Sequence, residues 1–318
     1  MEIPDDLRSL EAAMEVERLV HTYSIVARDP VTGEMGGAVQ SHYFRSGAVL
    51  SGEPGVGVVA SQASSDPSYG WVGLALMRSG KSPADALRGL VAADRHEGIR
   101  QVAMVDAQGR VAAHTGADTI PEAGHELGDQ FSVQANMMLQ ASVWPAMAKA
   151  FRASTGHLAE RMLAALFAAQ AEGGDIRGMQ SAGLLLVLPP SPERPRGGNF
   201  DLRIDDSPRP LDELRRLLQV AAGYDASNRA DRAFALRDVE NGSREYERAA
   251  ELVGDNPEMR LWHAIALFRA RRIDAGLVKL REVAAGDRNW IELALRLPEK
   301  IFQLDRGTKE QIRQMLTG

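Results

Sequence analysis

The chain has no cysteine. That excludes a disulfide framework, a thiolate nucleophile and a cysteine-ligated zinc site. No stretch approaches the roughly 18 consecutive apolar residues that a membrane-spanning helix needs. There is no basic excess either: 37 Lys and Arg stand against 43 Asp and Glu, a net charge of −6, so a surface devoted to nucleic acid is not expected. The start, MEIPDDLRSLEAAMEVERLV, lacks the basic end and apolar centre of a secretory signal. The seven histidines show no HxH or HExxH spacing, so no metal site is expected. The glycines of GVGV (55–58) are not followed by a helix start at phosphate-loop spacing, so no nucleotide cofactor is expected. Together these absences predict a cytoplasmic protein without cofactor, membrane or nucleic-acid partner.

What remains is an ordinary soluble composition, 44% hydrophobic and 25% charged over 318 residues. The length predicts about two domains and a core large enough to need no staples. Three zones emerge. Residues 1–20 read as one short amphipathic helix, with Leu7, Leu10, Met14 and the group Val16, Leu19 and Val20 at helical spacing. Residues 21–223 mix strands and helices, and residues 224–318 are helical only.

The middle zone opens with a hairpin, TYSIVARD and MGGAVQSHYF around PVTGE. GVGVVASQA (55–63) predicts a third strand. Helices follow at YGWVGLALMRSG and SPADALRGLVAADR, the second with Ser82 as N-cap and Pro83 just inside. RQVAMVDAQGRVAAHTG (100–116) predicts a second hairpin with DAQG at its tip. QFSVQANMM (130–138) alternates, placing Gln130, Ser132, Gln134 and Asn136 on one face. Helices over 142–153 and 156–172 precede an apolar strand at 179–189, a last strand at 199–206, and the helix RPLDELRRLLQVAA. Asp205 and Asp206, before Ser-Pro, read as a turn leading into that helix. Clustered hairpins with grouped helices predict an α+β fold: two packed sheets with helices outside.

The tail carries an internal echo. YERAAELVGDNPEMRLWHAIAL and LREVAAGDRNWIELALRL start 34 residues apart, the period of tetratricopeptide-type helical hairpins. Trp262 and Trp290 sit in the two copies as core residues. FRARRIDAGLVKLRE reads as a basic, solvated helical face, the alternative being a dock for an acidic partner.

TYSIVARDPVTGEMGGAVQS, GVGVVASQA, VAMVDAQGRVAAHTG, AGHELGDQFSVQANMM and RGMQSAGLLLV through DLRIDDSPRPLDELRRLL, in that order over about residues 22–220, resemble the domain-of-unknown-function family numbered ten-twenty-eight. That resemblance implies a four-layer α-β-β-α sandwich of the N-terminal-nucleophile (Ntn) hydrolase type. It implies for the tail a tetratricopeptide-like extension of the kind described as peptidoglycan-binding, with a cell-wall fragment or a protein as partner, and a homodimer. Thr22 matches the threonine that leads the first strand in relatives. In an Ntn enzyme that residue attacks an amide carbonyl while its own α-amine, with a pKa near 8, takes the proton. Here twenty-one residues precede Thr22, so the amine appears only if the His21–Thr22 bond is cut.

Hairpin arithmetic places Thr22 opposite Ser41 or His42, Thr115 near Arg100, and His114 near Gln101. The resemblance then gives a candidate site. Thr22 is the nucleophile, Asn136 the oxyanion donor, and Ser24 or His42 the orienting group. Ser41, Gln62, Arg100, His114 and Gln134 are candidate substrate contacts, with Arg100 holding an anionic group. The expected reaction is hydrolysis of a small amide or peptide-like substrate. The alternative is a non-catalytic binding or scaffold protein that works through its helical tail.

Overall fold

The computed structural model describes residues 19–20, 22–192, 195–254 and 256–317. The chain divides into two compact units, one ending at Arg215 and the other beginning at Arg216.

The first unit is built on two antiparallel sheets. The first sheet contains β1 (Leu19–Val20), β4 (Leu50–Glu53), β5 (Gly57–Ser64), β6 (Arg100–Asp106) and β7 (Val111–Thr115). The second runs β11 (Gly198–Ile204), β10 (Ser181–Leu188), β3 (Met35–Ser41), β2 (Thr22–Arg28), β9 (Phe131–Ala135), β8 (Gly124–Gly128). Strand alternation divides the side chains. Val26, Met35, Val39, Leu50, Val58, Ala60, Ala103, Val105, Leu185 and Val187 form one buried cluster between the sheets. Each large aliphatic side chain there contributes about 1.5–3 kcal/mol by leaving water.

The intervening residues face outward and meet helices. Val59, Val102, Met104 and Ala112 pack against Tyr69, Leu74 and Met77 of α1 (Ser68–Arg78) and Ala86 and Leu87 of α2 (Pro83–Ala93). The α2 start is capped as its sequence predicts, with the Ser82 hydroxyl accepting from the Asp85 amide at 3.1 Å. On the second sheet, α3 (Val143–Ala153) packs against β8 and β9, and α4 (Leu158–Ala171) against β2 and β3. The Phe131 and Phe151 rings meet there at 4.7 Å.

Two expectations change. The helix read over residues 1–20 lies outside the described residues except at its last two positions. There, Leu19–Val20 is a strand paired with Ser64 and Ala63 of β5, so the gain of ladder hydrogen bonds overrides helical spacing. The second hairpin is shifted by one residue. Gln101 stands opposite Thr115, and Val102 opposite His114, where Arg100 and Gln101 were expected. The cause is a loop of three residues, Ala107–Gly109, closed by Asp106 N–H to Arg110 O at 3.1 Å. Gly109 supplies the left-handed corner at φ 78°. The first hairpin has the Thr22–Ser41 pairing, one of the two registers its arithmetic allowed.

The second unit is helical. It holds α5 from Arg216 onward (the whole helix is Pro210–Ala235), α6 (Val239–Val253), α7 (Glu258–Arg269), α8 (Ile273–Ala284), α9 (Asn289–Arg296), α10 (Glu299–Phe302) and α11 (Arg306–Thr317). A 34-residue period is written into its packing. A Cβ on Gly242 would lie 2.5 Å from the Phe234 ring, and a Cβ on Gly276 2.5 Å from the Phe268 ring. The inter-helix turns repeat as well, with Arg237 and Arg271 both left-handed, at φ 65° and 61°. The repeating pairs are therefore α5–α6 and α7–α8. No helix among the described residues is long and apolar enough to cross a membrane.

Candidate functional site

Each hairpin of the inter-sheet space is apolar along its length and polar at its open end. Thr22 and Ser24 continue the inward face of β2 beyond Val26. Gln62 continues β5 beyond Val58 and Ala60, and Gln101 continues β6 beyond Ala103 and Val105. Gln134 and Asn136 occupy the inward face at and just past the end of β9. All six side chains are fully buried, at 0% exposure. A cluster of amides in such a place is stable only if its groups satisfy one another.

They do so as one network. The Ser24 hydroxyl donates to Gln62 Oε1 at 2.5 Å and accepts from Gln134 Nε2 at 2.6 Å. Ser132 donates to Gln134 Oε1 at 3.0 Å. Gln62 Nε2 donates to Gln101 Oε1 at 2.7 Å, and Asn136 Nδ2 to the same oxygen at 2.9 Å. Gln101 Nε2 in turn reaches Thr115 Oγ1 and the Ala135 carbonyl, both at 2.9 Å. Thr115 Oγ1 meets His125 Nδ1 at 2.8 Å. Burial, helped by the nearby His114, lowers the His125 pKa, so this ring stays neutral at pH 7.

Thr22 sits at the mouth of this network, and its carbonyl oxygen is the point of convergence. It accepts from the Asn136 backbone N–H at 3.1 Å, from Gln62 Nε2 at 3.2 Å and from Asn136 Nδ2 at 3.4 Å. The amide donors of Gln62 and Asn136 are thus turned onto the chain itself. Val20 belongs to the first sheet and Thr22 to the second.

Of the other candidates, Ser41 stands beside Thr22, whereas His42, His114 and Arg100 lie apart. Ser41 is buried opposite Thr22 across the β2–β3 pair. His42 is exposed, and its backbone N–H donates to Asp175 Oδ2 at 3.1 Å. His114 faces away from the inter-sheet space, with Nε2 3.0 Å from both the carbonyl and a carboxylate oxygen of Glu97. Arg100 is buried and engaged: Nε donates to Asp94 Oδ2 at 2.9 Å and Nη1 to the Ser64 carbonyl at 2.8 Å. Burial raises the Asp94 carboxyl, but hydrogen bonds from Arg100 and the His96 backbone outweigh it, and the pKa is lowered overall. Among the described residues no three His, Asp or Glu side chains converge as a metal site would require.

A family model described as "Family of unknown function (DUF1028)" matches residues 22–214. The chain belongs to this family. The matched segment opens on Thr22, the first residue of β2. A crystal structure of protein SPO2555 from Silicibacter pomeroyi, described with the same family model, superposes with a TM-score of 0.58 at 35% identity. The similarity covers 64% of this chain and 89% of that one. A search of curated proteins gave no match.

Sequence reasoning missed Gln101, Thr115, Ser132 and His125 as members of the network. Strand alternation carries the signal for Gln101, because it shares a face with Ala103 and Val105. The one-residue shift of its hairpin hid the Gln101–Thr115 pair.

Proposed function

We propose that the protein acts by binding and not by turnover. The sheet pair and its outer helices form the rigid α-β-β-α sandwich of the Ntn-hydrolase type, and the helical unit provides recognition. One observation carries the reading: Thr22 is fully buried and its carbonyl occupies the amide donors that a substrate oxyanion would need. With a peptide bond at its nitrogen, Thr22 lacks the free amine that an Ntn nucleophile uses as its base. An amide nitrogen does not accept that proton.

The same convergence supports a second reading, a latent amidohydrolase released by cleavage of the His21–Thr22 bond. Cleavage would create the amine. Asn136 and Gln62 could then turn from the Thr22 carbonyl to a substrate oxygen, with Ser24 orienting the nucleophile. Intact-mass measurement together with turnover assays on amide and peptide-like substrates separates the two. Binding predicts a stable full-length chain and no hydrolysis by wild type or Thr22→Ala. A chain beginning at Thr22 that hydrolyses such a substrate, with activity abolished in Thr22→Ala, would overturn it.

A further inference from the structure

The second sheet ends on β11, and that edge is open. Among the described residues β11 has β10 as its one strand partner. Alternate N–H and C=O groups along its other side therefore lie outside any ladder. Natural edges are often blunted by shortness, by proline or by a bulge. β11 has none of these. It runs seven residues, Gly198–Ile204, without proline, and its register with β10 is unbroken from end to end.

Its side chains divide by face. Asn199, Asp201 and Arg203 stand beside Val187, Leu185 and Gly183 of β10 and are exposed. Phe200, Leu202 and Ile204 stand beside Leu186, Leu184 and Ala182. Those three β10 residues are buried, whereas Phe200, Leu202 and Ile204 are only half-buried. Arg203 and Asp201 hold each other within the strand, Nε donating to Oδ1 at 3.0 Å and Nη2 to Oδ2 at 2.8 Å. Their side chains remain 33% and 41% exposed.

A strand with opposite charges two residues apart is complementary to itself when turned around. Suppose two identical strands pair antiparallel about a two-fold axis normal to the sheet. Each face then continues the same face, and one residue stands opposite its own copy. If that residue is Leu202, Asp201 of each copy faces Arg203 of the other, and Phe200 faces Ile204. Centring one residue earlier sets Asp201 against Asp201, and one residue later sets Arg203 against Arg203. Like charges directly opposite are destabilising, so charge selects the Leu202 register. The other edge of the sheet, β8, has no such pattern. Glu126 shares its face of that strand with Gly124 and Gly128, and it pairs with Arg152 of α3 at 2.6 Å.

We propose that β11 is a self-association surface, on which a second copy of the chain pairs antiparallel with Leu202 against Leu202. The two six-stranded sheets then become one. Each Asp201 and Arg203 exchanges its partner within the strand for one across it, and the free backbone row is closed. The backbone ladder supplies affinity and the charges fix the register. This assignment goes beyond the binding reading above and does not depend on it, since it uses neither Thr22 nor the helical unit.

The test is sedimentation velocity of the full-length protein over a concentration series. Wild type is expected to sediment as a reversible dimer. Asp201→Arg and Arg203→Asp each set like charges opposite one another at both symmetry-related positions, and each should weaken the dimer about tenfold or more. An equimolar mixture of the two variants restores both oppositions and should recover the wild-type affinity as a one-to-one heterodimer. A variant that had merely misfolded would not be rescued in this way, and circular dichroism checks each one alone. A wild type that stays monomeric up to about 100 µM would overturn the assignment. So would undiminished affinity in both variants, or a mixture no tighter than its components. None of these outcomes bears on Thr22, which mass and turnover assays decide separately.

Discussion

Gln101 is the residue on which most of the interior network turns. Its carbonyl oxygen receives both Gln62 and Asn136, and its amide serves Thr115 and the Ala135 carbonyl. Replacing it with leucine nearly preserves volume but leaves those donors and acceptors without partners in a place water does not reach. A buried donor or acceptor left unpaired costs about 1–3 kcal/mol, and several would be left at once, with relaxation recovering part. Gln101→Leu is therefore expected to destabilise the protein by about 3 kcal/mol in urea unfolding. Ser24→Ala removes a smaller node and should cost roughly half as much. Equal or negligible losses for the two would show that the network does not depend on Gln101.

At the scale of elements, the 34-residue period rests on two glycine–phenylalanine contacts. In an isolated helix, Gly276→Ala would gain about 1 kcal/mol from helix propensity. Here the new methyl would fall 2.5 Å from the Phe268 ring and 3.1 Å from the Ala264 carbonyl. Phe268 is buried among Leu261, Leu280 and Ile291 and has nowhere to go. Overpacking of this kind costs about 1–3 kcal/mol. Gly276→Ala is thus expected to lower the melting temperature, and Phe268→Leu in the same chain to restore part of the loss. A melting temperature raised by Gly276→Ala would mean that the α7–α8 contact is looser than described.

Over the whole molecule, the two units have separate cores, and one contains an acid-sensitive group. His263 is buried, and its Nε2 has no hydrogen-bond partner among the described residues. The ring stacks on Tyr246 at 5.2 Å. Burial lowers its pKa to about 4, with Glu247 of α6 opposing that shift and Lys279 of α8 adding to it. The folded pKa lies below the unfolded value near 6.5. The unfolded chain therefore binds the proton more readily, and stability falls as pH drops from about 6.5 towards 4. Acidification through that window should loosen the helical unit, with Trp262 and Trp290 fluorescence responding before the sheet signal in circular dichroism. His263→Phe should blunt the response. Coincident loss of both signals with no effect of His263→Phe would contradict this.

The sequence by itself determined the periodicity: where most strands and helices lie, though not β4 and β8, which side chains share a face, and the 34-residue echo in the tail. These features are local, set by alternation at two residues and by helical spacing, so a single chain displays them. Alternation likewise placed Gln134 and Asn136 on one face, and hairpin arithmetic set Thr22 opposite Ser41 or His42. Tertiary structure alone decided how those polar groups are used. Whether Asn136 points at a ligand or at the Thr22 carbonyl depends on where β5, β6 and β9 meet, and no local pattern encodes that meeting. The strand at Leu19–Val20 is of the same kind, since its partners lie more than forty residues away in β5. The Ala107–Gly109 loop shows how one added residue moves every pair in a hairpin by one place. Long-range register is fixed by the fit of two sheets against each other, and it fixes what stands beside Thr22.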